Sequence, residues 1–305
     1  MKDKVFNSKI LLFGEYSILK NSKGLSIPFP LFNGSLKTPL EKTELSKKSN
    51  STLLDFFKYL KSIAELDFHS FKIDLENGIY FDSSIPVGYG VGSSGAIVAA
   101  VYEKYAQNKI VLSKEISNEK LLNLKEIFSK MESFFHGKSS GLDPLNIYLG
   151  RPILINSINE IEVAKIHDSK KNKKVAVFLL DSGQSSSTEA MIKIFKTKMK
   201  DEVFKKMLSK EFIKYTNECI DNFLSADTNN LLENVKELSK IVLKNFKPMI
   251  PHSIQDVWEQ GISKDSYFLK LCGSGGGGYI LGFTPNFEKA KQELSHYNLT
   301  PVYFM

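Results

Sequence analysis

Residues 86–96, PVGYGVGSSGA, constrain this chain more than any other stretch. Glycines alternate at 88, 90 and 92, two serines follow, and then comes the apolar run AIVAAVYEKYA. That run is apolar nearly all round, which predicts a buried helix over 94–106. Glycine reaches left-handed backbone angles and leaves its N–H uncovered because it has no Cβ. A glycine loop feeding a helix N-terminus gathers unpaired donors and the positive end of the helix dipole. Such a loop is an anion cradle, and phosphate is its usual occupant.

Two common phosphate motifs can be set aside. Gly90-x-Gly92-x-x-Gly95 spells a dinucleotide fingerprint, but it lies mid-chain behind a predicted hairpin and its third glycine is already inside the helix. Glu115, about 20 residues on, falls in a polar loop with no second strand before it. No Gly-Lys-Ser/Thr follows the glycines, so the loop is not a Walker A loop either.

Composition narrows the partners. The chain has 305 residues and a formal charge of +7, yet Arg151 is its single arginine. An arginine fork on a phosphate or a nucleic-acid base is therefore nearly excluded, and no nucleic-acid partner is expected. No apolar run approaches the roughly 20 residues that span a bilayer, so no membrane partner is expected. The N-terminal run ILLF is short of the roughly 7–15 residues of a signal peptide, which predicts a soluble cytoplasmic protein. Cys219 and Cys272 are too few for a disulfide framework and are expected to be reduced thiols. The five histidines, at 69, 136, 167, 252 and 296, are scattered, which argues against zinc.

Periodicity gives the organisation. A strand is predicted over 5–14, a helix over 51–66, and a hairpin over 70–81 about Asn77-Gly78. A strongly amphipathic helix follows over 118–135, stopped by Gly137. Short strands are expected at 152–156 and 160–166. The charged tract HDSKKNKK at 167–174 marks a domain boundary, dividing the chain into 1–170 and 171–305. Beyond it come a buried strand over 175–181 and helical patterns over 187–200, 202–224 and 228–245. A strand, second glycine loop and strand occupy 270–283, followed by a helix over 286–296 and a last strand. Trp258 reads as a packing residue. Interleaved strands and helices predict an α+β or α/β enzyme of two domains holding a ligand between them.

Single residues say little alone. Glu132 lies at the edge of the apolar stripe of its helix, where a carboxylate needs a cation or several donors. Asp143 stands before Pro144, as turn and cap residues do. Lys9 is one of forty lysines. Cys272 reads as a small strand residue.

Four ordered segments give these residues a context. SKILLFGEYSIL (8–19), the loop from Pro86 to Ser94, ESFFHGKSSGLDPL (132–145) and Gly273–Gly278 together resemble the GHMP kinases, and among these the mevalonate kinase branch. The resemblance spans residues 8–283. It implies a mixed α/β N-terminal domain that binds ATP and a ferredoxin-like C-terminal domain, with the active site between. It also implies ATP and Mg²⁺ as cofactors and a small-molecule acceptor, mevalonate or a similar hydroxy acid, in a monomer or homodimer.

Roles follow from the matched positions. Pro86, Gly88, Gly90, Gly92, Ser93 and Ser94 correspond to the ATP phosphate loop. Ser94 and Glu132 correspond to the Mg²⁺ ligands. Asp143 corresponds to the catalytic aspartate and Lys9 to the lysine paired with it. Glu15, Tyr16, His136, Ser140, Thr188 and Gly275 fall where the acceptor binds, although on its own chemistry His136 reads first as a residue capping or packing at its helix end. Two positions depart from the mevalonate kinase pattern: Tyr16 stands where histidine commonly follows Gly-Glu, and Ser186 where arginine often precedes the threonine.

Overall fold

A computed structural model describes residues 4–41, 43–112, 115–166 and 175–305. The boundary tract 167–174 lies outside the described residues. The chain opens on β1 (Phe6–Phe13), which pairs antiparallel with the long β2 (Gly24–Lys37). Alternating burial along β1 puts Ile10 and Leu12 fully in the core. Helices α1 (Glu44–Leu60) and α2 (Phe68–Glu76) and strand β3 (Tyr80–Ser83) lead to the first glycine loop. Then follow α3 (Ser93–Tyr105), α4 (Asn118–His136), α5 (Leu142–Leu149), β4 (Ile153–Ser157) and β5 (Glu160–Val163). Strands β1, β2, β4 and β5 form one sheet in that order, with β3 added to β2.

The second region starts with β6 (Ala176–Asp181), passes through α6 (Thr188–Lys198), α7 (Glu202–Met207), a π-helical turn at Leu208–Phe212 and α8 (Ile213–Ser225), and continues with α9 (Thr228–Asn245) and α10 (His252–Ser263). It ends with β7 (Phe268–Leu271), β8 (Tyr279–Thr284), α11 (Phe287–Glu293) and β9 (Leu299–Phe304). The sheet order is β7-β8-β6-β9, with every pairing antiparallel. That is the ferredoxin-like arrangement, so the mixed fold with two sheets is as the sequence implies.

The hairpin expected over 70–81 does not form. Asp67 accepts from the Ser70 N–H and caps α2, whose Phe71 and Leu75, four apart, are buried on one face. Gly78, at φ +83°, turns the chain into β3, which pairs with β2 instead. Helix α1 begins earlier than its apolar spacing suggests, because Thr43 caps it by accepting from the Ser46 N–H. Trp258 does pack: it is fully buried on α10 and donates to Ser239 Oγ at 2.8 Å.

Two contacts tie the sheets together next to the cleft. Phe13 of β1 stacks on Phe283 of β8 at 5.3 Å between ring centroids. Beside it, Lys270 of β7 donates to Glu15 Oε1 at 2.6 Å, with the side chains only 4% and 5% exposed. Burial pushes the Glu15 carboxyl upward, while Lys270 and the residue's own backbone pull it back. Removing one member of such a pair strands the other without water. Lys270→Met should therefore destabilise the protein by about 3–5 kcal/mol, and Glu15→Gln with Lys270→Met by clearly less, measured by urea denaturation.

Candidate active site

The first glycine loop closes against β1 through its backbone. The Lys9 N–H donates to the Val91 carbonyl at 3.1 Å. Gly92, left-handed at φ +88°, starts α3, and a Cβ there would come within 3.1 Å of the Lys9 side chain. One turn on, a Cβ at Gly95 would lie 2.9 Å from the backbone nitrogen of Pro144 in α5. Absent side chains at 92 and 95 thus let β1, α3 and α5 converge. Gly141, at φ +73°, brings the start of α5 against α4, where a Cβ would strike the Lys125 carbonyl. Helical periodicity does not show in α5, whose eight residues include a proline near the start.

Convergence puts Lys9 Nζ 2.8 Å from Asp143 Oδ1. The lysine side chain is 2% exposed, whereas the aspartate is 40% exposed and faces the cleft. Burial works against the lysine's charge, but Asp143 outweighs it and holds Lys9 above its ordinary value. Lys9 therefore stays protonated, and Asp143 presents a carboxylate flanked by a fixed positive charge.

Glu132 is buried on α4 rather than left at the edge of its apolar stripe. It accepts from Ser94 Oγ at 2.9 Å and from Ser139 Oγ. Burial, and then the Asp143 charge, push its carboxyl up to about 7. His136 ends α4 with Nε2 3.0 Å from Ser94 Oγ, and burial lowers its basicity. Among the described residues no three His, Cys, Asp or Glu side chains group as a metal site. A buried carboxylate held by hydroxyls, beside a second acid, suits a hard dication that takes its remaining ligands from water and phosphate. Ser94 and Glu132 therefore fit Mg²⁺.

A cleft of about 530 Å³ opens over these groups. Gly88, Gly90, Gly92, Ser93, Ser94, His136 and Asp143 line it from the first region, and Ser186–Glu189, Cys272, Ser274, Gly275 and Gly277 from the second. No lysine or arginine lines it among the described residues. Burial pushes the Cys272 thiol up to about 11, which leaves it inert. Thr188 and Gly275 reach the wall as expected. Pro86, Ser140, Glu15 and Tyr16 stand off it: Ser140 is exposed beside α5, Glu15 is held by Lys270, and the Tyr16 hydroxyl donates to the Ser274 carbonyl. Ser187 and Glu189, which sequence reasoning missed, lie on the wall at the start of α6, where only the Ser187 cap marks them.

The two glycine loops interlock. A Cβ at Gly90 would lie 2.7 Å from the Cys272 carbonyl, and one at Gly278 would lie 2.5 Å from Tyr89 Cα. The Ser186 N–H also donates to the Gly88 carbonyl at 3.3 Å. Gly275 does not join this contact: a Cβ there would meet the Met249 carbonyl.

Residues 52–151, from α1 through the loop to the end of α5, match the family model described as the GHMP kinases N terminal domain. Over those hundred residues the chain matches a GHMP kinase N-terminal domain. Over 317 residues it is 23% identical to a mevalonate kinase of Pyrococcus abyssi (strain GE5 / Orsay), covering 92% of this chain and 88% of that one. Its fold matches the Methanococcus jannaschii mevalonate kinase with a TM-score of 0.62 at 19% identity, covering 99% and 98% of the two chains. It matches Streptococcus pneumoniae phosphomevalonate kinase, solved with phosphomevalonate and AMPPNP, with a TM-score of 0.64 at 14% identity and 99% coverage of both. The first region thus matches the family model, and the whole chain has the fold of these solved kinases.

Two outcomes test the geometry. Gly90→Ala adds a left-handed penalty of about 1–2 kcal/mol and a clash with Cys272, and should lower stability by at least that much in urea denaturation. The Glu132 carboxyl is higher in the folded protein than in the unfolded chain, so its favourable contribution is complete below about 4.5 and lost as pH rises through about 7. Without metal, wild-type stability should fall relative to Glu132→Gln across that window, by on the order of 3 kcal/mol, and level off above it.

Proposed function

We propose that this protein is a two-domain kinase, divided at residues 170 and 171, that uses ATP and Mg²⁺ to phosphorylate the primary hydroxyl of mevalonate. The observation that carries this reading is the Lys9–Asp143 pair at 2.8 Å, its lysine buried and its aspartate open to a glycine-lined cleft. A buried cation has no need to face a cleft-lining carboxylate in a protein that only binds nucleotide. In a phosphoryl transfer the pair has a use. Asp143 takes the proton of the acceptor hydroxyl as the new O–P bond forms and the bond to the ADP leaving group breaks. Lys9 holds the Asp143 carboxyl in place and steadies the charge growing on the attacking oxygen.

The loop at Gly88–Ser94 would hold the ATP phosphates by backbone donors at the start of α3. Bound at Ser94 and Glu132, Mg²⁺ would neutralise charge on those phosphates. Transfer would be direct and in line, without a phospho-enzyme. Thr188, Ser274 and Gly275 would receive the acceptor, with His136 at the opposite lip. Among the described residues the cleft is lined by hydroxyls without lysine or arginine, which supports an acceptor with one carboxylate over one that already carries a phosphate.

ADP release from mevalonate, phosphomevalonate, homoserine and galactose, each with Mg-ATP, tests the acceptor. Mevalonate should turn over fastest; a clear preference for another acceptor overturns the assignment. Asp143→Asn should cut turnover by about 10²–10⁴-fold while ATP still binds. Unchanged turnover would remove Asp143 from the chemistry. Stability should behave oppositely in the two partners: Asp143→Asn leaves a buried lysine alone and costs more in urea denaturation than Lys9→Met, which leaves an acid already in contact with water.

A further inference from the structure

Tyr16 has left-handed backbone angles, φ +62°, which a residue bearing a Cβ adopts at a cost. The turn aims its ring away from the cleft wall. The ring stacks on Phe195 of α6 at 4.4 Å between centroids and is tilted against Phe246 at 6.2 Å. Its hydroxyl donates to the Ser274 carbonyl at 2.6 Å, 258 residues along the chain. Ser274 Oγ in turn lies 3.4 Å from Thr188 Oγ1, and both residues line the cleft. One side chain therefore braces the end of β1, helix α6 and the second glycine loop.

Ser274 has reason to need a brace. Gly273, Gly275, Gly276 and Gly278 around it are all left-handed, at φ +67° to +79°. A run of glycines has more conformations to lose than any other sequence, so a loop left free must be ordered when ligand arrives. Beside Tyr16, the Glu15–Lys270 pair fixes the strand that enters the loop, and the Tyr16–Ser274 bond fixes the loop itself. Burial raises the phenol well above its ordinary value, which keeps the hydroxyl a donor at all working pH values.

We propose that Tyr16 is a positioning residue that pre-forms the acceptor end of the cleft by holding Ser274 and Thr188 in place, without touching the acceptor itself. The kinetic side of this inference rests on the phosphoryl-transfer reading above; the structural side does not.

Tyr16→Phe keeps the ring stack and removes only the hydroxyl, so it tests the brace in the full-length protein. Amide hydrogen exchange, followed by mass spectrometry, should speed about tenfold over residues 272–278, the worth of one net hydrogen bond, with β1 and β2 unchanged. The KM for mevalonate should rise by a similar factor, about tenfold, with kcat and the KM for ATP close to wild type. Unchanged exchange over 272–278, or equal speeding throughout the chain, overturns the brace. Faster exchange with an unmoved mevalonate KM overturns its role at the acceptor. If wild type does not phosphorylate mevalonate, the substrate assignment fails by itself, and the exchange measurement still decides the role of Tyr16.

Discussion

The site depends on keeping one ammonium group charged where water does not reach it. Lys9 is carried on a core strand whose alternate residues are among the most buried in the protein. Asp143 above all makes that placement tolerable, because a buried cation without a partner would lose its proton or unfold its surroundings. Much of the neighbouring architecture follows from that pair. Gly92 gives up its side chain so that the lysine can pass, Gly95 gives up its own so that α5 can approach, and Gly141 lets α5 lean on α4. Each glycine removes a clash whose relief would move one partner away from the other.

A second constraint is the mutual penetration of the two glycine loops. The loop after β3 and the loop after β7 belong to different sheets, yet their backbones meet at Gly90 and Cys272 and again at Gly278 and Tyr89. Backbone-to-backbone contact of this kind admits little sliding, because no flexible side chain lies between to absorb it. The Phe13–Phe283 stack and the Glu15–Lys270 pair close the same junction from behind. The cleft is therefore a joint with a defined width, which suits a reaction dominated by positioning.

Much of this could be read from the chain before its structure. The glycine loop, the helix after it, the Gly137 stop and the strand–glycine–strand unit near the C-terminus each announce themselves by residues with few conformational alternatives. Two kinds of element were hidden. Short helices such as α2 and α5 offer too few turns for periodicity to show, and in α2 the Asn77-Gly78 pair that resembles a hairpin turn instead closes a capped helix. Long-range placement was hidden as well. Tyr16 and Glu15 follow β1 directly, and nothing local says that their partners are Ser274 and Lys270. Glu132 takes its hydroxyl partners from the loop before α5, through Ser139, and from α3, through Ser94, rather than from its own helix.

The cleft divides its labour between the sheets. Lys9, Ser94, Glu132 and Asp143 all come from the first region and are bound to one another by contacts that do not involve the second. Among the described residues the second region contributes a wall of hydroxyls and glycines to the same cleft, and none of the four groups just named. Such a scaffold separates the invariant part of a reaction from its variable part. Changes confined to the start of α6 or to the loop before β8 can reshape what is admitted while the reacting groups keep their spacing. A substitution there, such as at Ser186, would leave the Lys9–Asp143 spacing untouched.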